Sequence, residues 1–325
     1  MLKRINKSNC LLFSTMLLAL LCGRARASEE IFLKPVKVSP HVWYFQGEAG
    51  MASSANKGFM SNAGFVITNN GVVVFDALAT PALGSALLKA IATVTQEPVV
   101  RVIISHFHAD HFYGLQALKD KGAEVWAHEA GRKSLSDPSS QDRLAQRRAD
   151  LAPWVDEATR LVPADRWLSF GEGKAIAFEQ GGMHFRVIDS SGAHSPEDVM
   201  LFVEDEGVLF AGDLFFTGRI PFVGNANSRA WLEALERMAA LAPGVAIPGH
   251  GAASRQPQED MRLTRDYLVF LRQKMNDAVA DLTPFEEAYR KTDWSLFEKI
   301  PAFQQANRLN AYSTYLLMEK ESLSR

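Results

Sequence analysis

The feature that most constrains this chain is the segment Ser105-His106-Phe107-His108-Ala109-Asp110-His111. It places three imidazoles and one carboxylate within six residues, directly after an apolar run, 102–104, that predicts a buried strand. Neutral imidazole and carboxylate are ligands that zinc and similar divalent ions prefer in proteins. The segment therefore predicts a metal site on a loop at the end of a strand.

Three predicted strands later in the chain lead to His194, Asp213 and His250. Loops at the ends of strands are where α/β proteins place their ligand sites, so we expect these side chains to meet the histidine segment. Five of the eight histidines would then converge on one place. The candidate metal ligands are His106, His108, Asp110, His111, His194, Asp213 and His250.

Apolar runs separated by turn residues alternate with helical patterns from about residue 36 onward, which predicts a layered α/β fold. Strands are predicted at 41–45, 63–68, 71–75, 99–104, 124–127, 174–178, 184–188, 199–203, 207–210 and 245–247. Helices are predicted after the cap Thr80, at 111–121, within 141–161, at 229–241 behind the cap Ser228, and at 260–282, 283 onward and 307–322. We therefore divide the chain into an α/β domain that carries the candidate ligands, 28–255, and a helical extension, 256–325.

The N-terminus has the pattern of an export signal. Basic residues precede an apolar stretch, 11–22, which is followed by the small-residue site Ala25-Arg26-Ala27. The stretch is short for a bilayer span, so we expect cleavage after Ala27, a periplasmic or secreted protein, and no stable membrane span after signal removal. A lipid anchor through Cys22 is the alternative, although Leu21 before it is bulky where lipoprotein signals favour a small residue.

Cysteine content and charge narrow the chemistry. Both cysteines, Cys10 and Cys22, lie within the predicted signal, so the predicted mature chain has no disulfide, thiolate nucleophile or cysteine ligand. The formal net charge is -2, and without the five basic residues of 1–27 it becomes -7. A mildly acidic chain without a long basic stripe is not typical of nucleic-acid binding, so we expect a small-molecule substrate.

Taken in order, His-x-His-x-Asp-His, Gly192-Ala193-His194, Gly212-Asp213 and Gly249-His250 are similar to the motifs of the metallo-β-lactamase superfamily. The resemblance covers about residues 41–252. It implies an αββα sandwich with a C-terminal helical extension and two Zn²⁺ ions per chain. In that pattern one ion is held by His106, His108 and His194, the other by Asp110, His111 and His250, and Asp213 bridges them.

The mechanism that the resemblance implies uses a hydroxide between the two metals as the nucleophile, with Asp110 returning a proton to the leaving group. Asp76 follows the predicted strand 71–75. It either orients the ligand loop as a hydrogen-bond acceptor or occupies an ordinary turn at the end of the strand. Arg219 and Phe216 are candidates for substrate binding, Arg219 through a substrate carboxylate. A surface salt bridge for Arg219 and core packing for Phe216 are the alternatives.

Departures from the family pattern narrow the choice of activity. The flavodiiron oxygen reductases have an acidic residue where this chain has His108, which disfavours that activity. One group of lactamases uses a cysteine ligand, and Asp213 together with the absence of cysteine from the predicted mature chain disfavours that group. The segment 210–219 resembles that of hydroxyacylglutathione hydrolases, which cleave thioesters. The export signal, the 50–62 loop and the 193–198 segment are more similar to periplasmic SoxH-type and quinoprotein-relay zinc hydrolases.

We therefore predict an exported zinc hydrolase that cleaves an ester, thioester, lactone or amide bond. β-Lactam hydrolysis is the enzymatic alternative. Two alternatives of another class are a mononuclear iron dioxygenase that acts on persulfides, and an accessory protein of a periplasmic oxidation system that keeps its metal for stability. Metal content and turnover separate these hypotheses. Two zinc ions with turnover would favour a hydrolase, one iron ion would favour the dioxygenase, and zinc without turnover would favour the accessory protein.

Overall fold

The apolar runs of the sequence form two β-sheets. The computed structural model describes residues 30–171 and 174–324, so the predicted signal segment lies outside the described residues. Within them, the first sheet has its strands in chain order: β1 (Val36–Lys37), β2 (Val42–Phe45), β3 (Ala63–Thr68), β4 (Gly71–Phe75), β5 (Val99–Ile103), β6 (Glu124–His128) and β7 (Arg166–Leu168). The strands β1 to β4 are antiparallel neighbours, whereas β4 to β7 run parallel.

The second sheet has the order β12-β11-β10-β9-β8. Its strands are β8 (Ala175–Gln180), β9 (Met183–Asp189), β10 (Val199–Val203), β11 (Val208–Phe210) and β12 (Val245–Ile247). Neighbours are antiparallel from β8 to β11, and β11 pairs with β12 in parallel. Every residue of β4 and β10 is buried, as expected for strands covered on both faces.

The two sheets share one apolar core. Side chains from the first sheet, including Val66 and Ile103, belong to the same buried cluster as Val187 and Leu201 of the second. The rings of Phe75 and Phe210 cross this interface with centroids 5.5 Å apart. Complete burial of one such side chain contributes about 1.5–3 kcal/mol, so the interface is a main source of stability.

Helices cover the outer face of each sheet. Those over the first sheet are α1 (Pro81–Ala92), α2 (Ala109–Phe112), α3 (Leu115–Lys119), α4 (Gly131–Ser136) and α5 (Pro138–Asp150). The predicted start of α1 is confirmed, because the Thr80 hydroxyl accepts a hydrogen bond from Leu83 N at 3.1 Å and Pro81 is the first residue.

The helices over the second sheet are α6 (Ser228–Ala240), α7 (Pro257–Ala280), α8 (Phe285–Lys291) and α9 (Phe303–Leu323). Trp231, Tyr267 and Phe303 join them to that sheet in one buried cluster. The predicted αββα sandwich with a helical C-terminal region is therefore confirmed. Among the helices of residues 30–171 and 174–324, none is both long enough and apolar enough to cross a membrane.

Three predicted helices were wrong in detail. The helix predicted at 111–121 is interrupted between α2 and α3, where Gly114 lies so close to the chain before α1 that a Cβ would stand 1.9 Å from Ala77 O. The helical prediction for 141–161 holds only to Asp150, where α5 ends. The cap of α6 is Asn227, whose side chain accepts from Arg229 N and Ala230 N, and the predicted cap Ser228 is the first helical residue.

Candidate metal centre

The predicted ligands lie on loops that leave four strands of the two sheets. The loop after β5, in the first sheet, contributes the segment 106–111. The loops after β9, β11 and β12, in the second sheet, contribute His194, Asp213 and His250. The structure brings all seven predicted residues together, in two groups, at one edge of the sandwich.

The first group consists of His106, His108, His194 and Asp213. His106 Nε2 and His194 Nε2 lie 2.9 and 3.0 Å from His108 Nδ1, so three ring nitrogens face one another. Asp213 Oδ2 lies 3.5 Å from His194 Nε2. His108 is the solvent-exposed member of the group, which leaves one side of the site open to a substrate.

The second group consists of Asp110, His111 and His250. Asp110 Oδ2 lies 3.3 Å from His250 Nε2 and 3.6 Å from His111 Nε2. The other oxygen of Asp213, Oδ1, lies 3.1 Å from His111 Nε2 and 3.3 Å from His250 Nε2. Asp213 therefore stands between the two groups, with one oxygen toward each.

Several of these atoms fit a metal better than they fit one another. In the described part of the chain, His111 Nε2 and Asp213 Oδ1 are buried without a hydrogen bond of acceptable geometry. A buried polar atom without a partner costs free energy of folding, so we expect these two atoms to face a further partner such as a metal ion. Imidazole nitrogens and carboxylate oxygens in this number suit zinc or a similar divalent cation.

The electrostatics of the two groups differ. Burial lowers the pKa of His194 to about 3, although Asp213 acts in the opposite direction. Burial also lowers the pKa of His250, but Asp213 and Asp110 outweigh it and raise the value to about 9. The carboxylates therefore favour positive charge at the second group, which is the place that a cation would take.

Asp76 holds the ligand loop through hydrogen bonds to Ser105 and His111. Its carboxylate accepts hydrogen bonds from Ser105 N at 2.7 Å, from Ser105 Oγ at 2.8 Å and from His111 Nδ1 at 2.8 Å. Its backbone has a φ of 63°, a left-handed conformation that is uncommon for residues other than glycine. Burial raises the pKa of Asp76, while His111 and Ser105 lower it. These contacts are those expected of an acceptor that orients His111.

Two further residues that contact the metal loops were not among the predicted site residues. Glu197 is buried and accepts hydrogen bonds from Phe107 N at 3.1 Å and Ser134 Oγ at 2.8 Å. The indole of Trp231 packs edge to face against His194 with centroids 5.0 Å apart, and donates to Leu214 O at 2.9 Å. An acidic residue three positions after a candidate ligand was the available clue to Glu197.

The two predicted substrate residues occupy different surroundings. Phe216 is fully buried and its ring stacks on His250, with centroids 5.3 Å apart and planes 7° apart. It therefore holds the plane of the His250 ring in this conformation. Arg219 is also buried, but it lines a cavity together with Gly251, the residue after His250.

Comparisons with known proteins give a consistent family likeness. The model of the metallo-beta-lactamase superfamily matches residues 56–250. The metallo-beta-lactamase type 2 of Bacillus sp. (strain 170) is 26% identical over 223 residues, which cover 67% of this chain and 74% of that protein.

Two solved structures illustrate the likeness of fold. A metallo-beta-lactamase from Pontibacter korlensis is 21% identical with a TM-score of 0.55, covering 73% of this chain and 99% of that one. A stereoselective inverting sec-alkylsulfatase from Pseudomonas sp. is 17% identical with a TM-score of 0.63, covering 88% of this chain and 50% of that one. The match to the sec-alkylsulfatase covers more of this chain than the segment 56–250 that the family model matches.

Proposed function

The chain belongs to the metallo-beta-lactamase superfamily, and we propose that it is an exported dinuclear zinc hydrolase that cleaves an ester, thioester, lactone or amide bond. Its relatives indicate a metal-dependent hydrolase. The observation that favours two metals over one is the position of Asp213. Its Oδ2 lies 3.5 Å from His194 Nε2 and its Oδ1 lies 3.1 Å from His111 Nε2, so one carboxylate serves both groups.

The proposed ligands follow from these groups. The first zinc ion would be held by His106, His108 and His194, the second by Asp110, His111 and His250, and Asp213 would be shared. When bound, divalent metal ions lower the pKa of water toward neutrality and polarise the scissile carbonyl. Hydrogen bonds within the chain hold two of these ligands in place. Asp76 orients the His111 ring, and the Met60 carbonyl accepts a hydrogen bond from His250 Nδ1 at 2.7 Å.

Asp110 is the residue that we assign to proton transfer. Burial raises its pKa, but His111 and His250 outweigh this and hold it well below the ordinary value, so the carboxylate is ionised. Its side chain is 21% exposed, more than that of any other residue of the second group. We propose, from its place at the exposed side of the group, that it accepts a proton from the attacking water and returns it to the leaving group.

The place of action is proposed from the N-terminal pattern. The predicted signal, 1–27, has basic residues, an apolar stretch and a small-residue cleavage site. We propose cleavage after Ala27 and a periplasmic or secreted enzyme that acts on a small molecule. Comparison of the mass of the mature protein with residues 28–325 tests this cleavage directly.

The alternatives keep part of the same site. β-Lactam hydrolysis is favoured by the name of the Bacillus relative, and it would use the same metal groups. A persulfide dioxygenase would hold one iron ion, and an accessory protein would hold metal without turnover. The two complete groups around Asp213 are an argument against a single-metal enzyme.

A hydrolysis screen on the protein comprising residues 28–325, purified and loaded with zinc, tests the proposed function. Thioesters, lactones, esters, amides and β-lactams are assayed beside a metal count by mass spectrometry. We expect two zinc ions per chain, turnover in the ester, thioester, lactone or amide class, loss of activity with a chelator, and recovery with zinc. Activity that is indifferent to chelation would remove the metal mechanism, and one bound iron would favour the dioxygenase.

A further inference from the structure

The outward ring nitrogens of the metal-site histidines differ in what they contact. A histidine that binds a metal through one ring nitrogen usually donates the N–H of the other to an oxygen, which fixes the orientation of the ring. Three of the histidines follow this pattern through Nδ1: His106 faces Ser105 Oγ at 2.9 Å, His111 faces Asp76 at 2.8 Å and His250 faces the Met60 carbonyl at 2.7 Å. Hydrogen bonds therefore set the orientation of these three rings.

His194 departs from this pattern. Its Nε2 faces His108 Nδ1 at 3.0 Å, so its own Nδ1 is the outward atom. Among residues 30–171 and 174–324, no hydrogen-bond partner meets this Nδ1, which is buried. A buried polar atom without a partner costs free energy of folding, and a ligand ring that is free to turn costs metal affinity. The plane of the His194 ring must therefore be held by a contact of another kind.

The indole of Trp231 packs against the His194 ring. The two ring centroids lie 5.0 Å apart with the planes at 75°, an edge-to-face arrangement that aromatic rings prefer. Trp231 is completely buried, so bulk water is kept from this contact. The face of an aromatic ring carries partial negative charge and accepts an N–H as a weak hydrogen bond. An indole is therefore a chemically suitable partner for the Nδ1–H of His194.

The indole is itself held in a fixed orientation. Its Nε1 donates a hydrogen bond at 2.9 Å to the carbonyl of Leu214, the residue after Asp213. Its ring also contacts Phe216, with centroids 6.3 Å apart, and Phe216 in turn stacks on His250. Trp231 is therefore attached to the backbone beside the bridging carboxylate, and aromatic contacts continue from it to a histidine of the second metal group.

The helix that carries Trp231 begins at the loop of His194. The backbone N–H of Asn227, the N-cap of α6, donates at 2.9 Å to the carbonyl of Ala193, directly before the ligand. The carbonyl of Asn227 accepts from Trp231 N, also at 2.9 Å. Two backbone hydrogen bonds thus join the ligand loop to the residue that carries the indole.

We propose that Trp231 is a positioning residue for His194, with the face of its indole receiving the Nδ1–H of that ligand. The inference rests on the proposed function for the role of His194 in holding zinc, and on the ring contact for the role of Trp231. The proposed role differs from ordinary core packing, because it requires an aromatic ring, and not merely an apolar side chain, at position 231.

The first test observes the contact in the native, zinc-loaded protein comprising residues 28–325. Histidine is labelled with nitrogen-15, and the ring N–H resonances are recorded by NMR. A proton over a ring face is shielded, so the Nδ1–H of His194 should resonate upfield of those of His111 and His250, which donate to oxygen. Trp231→Phe should leave this resonance upfield, whereas Trp231→Leu should move it downfield and thereby assign it. A spectrum without any upfield-shifted ring N–H would overturn the proposal, because an oxygen or a water would then be the acceptor.

The second test measures zinc affinity by competition with a chromophoric chelator. Trp231→Leu keeps an apolar side chain but removes the ring, and should weaken one of the two zinc sites about 10- to 100-fold, as is typical when the partner of a metal-binding histidine is changed. Trp231→Phe keeps a ring face and should lose less. The native resonance and the affinity of Trp231→Phe keep the test decisive if Trp231→Leu does not fold. Equal zinc affinity in the native protein and Trp231→Leu would contradict the role.

Met238→Ala is the matched control for lost packing. Met238 is completely buried farther along α6, in the same apolar cluster as Trp231. Its truncation leaves a cavity in that cluster and should lower the melting temperature, but the zinc affinity and the upfield resonance should stay as in the native protein. A loss of zinc affinity in Met238→Ala as large as that in Trp231→Leu would assign the effect to core stability and reject the ring contact as its cause.

The outcomes also separate this inference from the proposed function. Zinc binding and hydrolysis that do not depend on a ring at position 231 would reject the inference and leave the hydrolase standing. Zinc affinity that depends on this ring, in a protein that hydrolyses nothing in the screen, would support the inference and reject the hydrolase.

Discussion

The carboxylate of Glu197 accepts a hydrogen bond from the backbone N–H of Phe107 at 3.1 Å, and this contact joins two loops of the metal centre. Phe107 lies between His106 and His108, whereas Glu197 lies three residues after His194. The second oxygen of Glu197 accepts from Ser134 Oγ on α4 at 2.8 Å. One buried carboxylate thus sets the distance between ligands that come from different sheets.

Replacement of Glu197 by Ala should weaken zinc binding at the first group about 10- to 100-fold, because the two loops lose their shared anchor. Competition with a chromophoric chelator measures this affinity. Glu197→Gln is the matched control, since its amide oxygen can still accept from Phe107 N, and its loss should be smaller. Equal affinity in Glu197→Ala and the native protein would contradict the role.

Asp213→Ala should abolish the occupancy of at least one metal, because this side chain is the one that faces both groups. The metal content per chain, measured by mass spectrometry, should fall from two to one or fewer, and hydrolysis should fall with it. Asp205→Ala, which removes an exposed carboxylate in the turn between β10 and β11, is the control and should keep both ions. Full metal content and full activity in Asp213→Ala would remove the bridging assignment.

Asp76→Asn tests the charge that supports His111. Asn adopts left-handed backbone conformations more readily than most residues, so this change keeps the backbone at φ 63° while it removes the negative charge. We expect metal affinity or activity to fall about 10- to 100-fold, as is typical when the partner of a metal-binding histidine is changed. Asp76→Ala should be worse, because it adds backbone strain. An unchanged affinity in Asp76→Asn would show that the contact serves folding alone.

A pH-dependent contact lies away from the site, between His184 and Asp205. The hydrogen bond to Asp205, at 3.1 Å, raises the pKa of the His184 imidazole. A raised pKa means that the contact stabilises the fold below the ordinary histidine value and that this contribution is lost as the pH rises through the raised value. Asp205→Asn should lower the pKa of His184, as measured by NMR titration. An unchanged titration curve would contradict this assignment.

The main parts of the fold were predictable because the relevant signals are local. The run 71–75 is entirely apolar and forms β4, and the preceding Asn69-Asn70 with Gly71 forms the hairpin turn that joins it to β3. The convergence of the seven candidate ligands could also be predicted, since each lies on a segment that follows an apolar strand. Strand ends and chemically distinctive side chains are both visible in a single sequence.

The remaining features depend on contacts between distant segments. Gly114 interrupts a helical pattern because of the carbonyl of Ala77, 37 positions earlier, which no periodicity reveals. The short strand β7 has three residues and pairs with β6 alone, a contact that its own sequence does not reveal. Glu197 and Trp231 contact the metal loops across 90 and 37 positions respectively, counted to Phe107 and His194, so their roles require the tertiary structure.

The division of the ligands between the two sheets has a consequence for the lifetime of the protein. Metal ions bound to residues of both sheets would act as a clip across the sandwich, in a chain whose two cysteines both lie in the predicted signal. Binding to the folded state alone stabilises it by about 2.7 kcal/mol when free metal is 100 times the dissociation constant. We therefore expect the supply of metal to affect how long the folded protein survives proteolysis, as well as how fast it works.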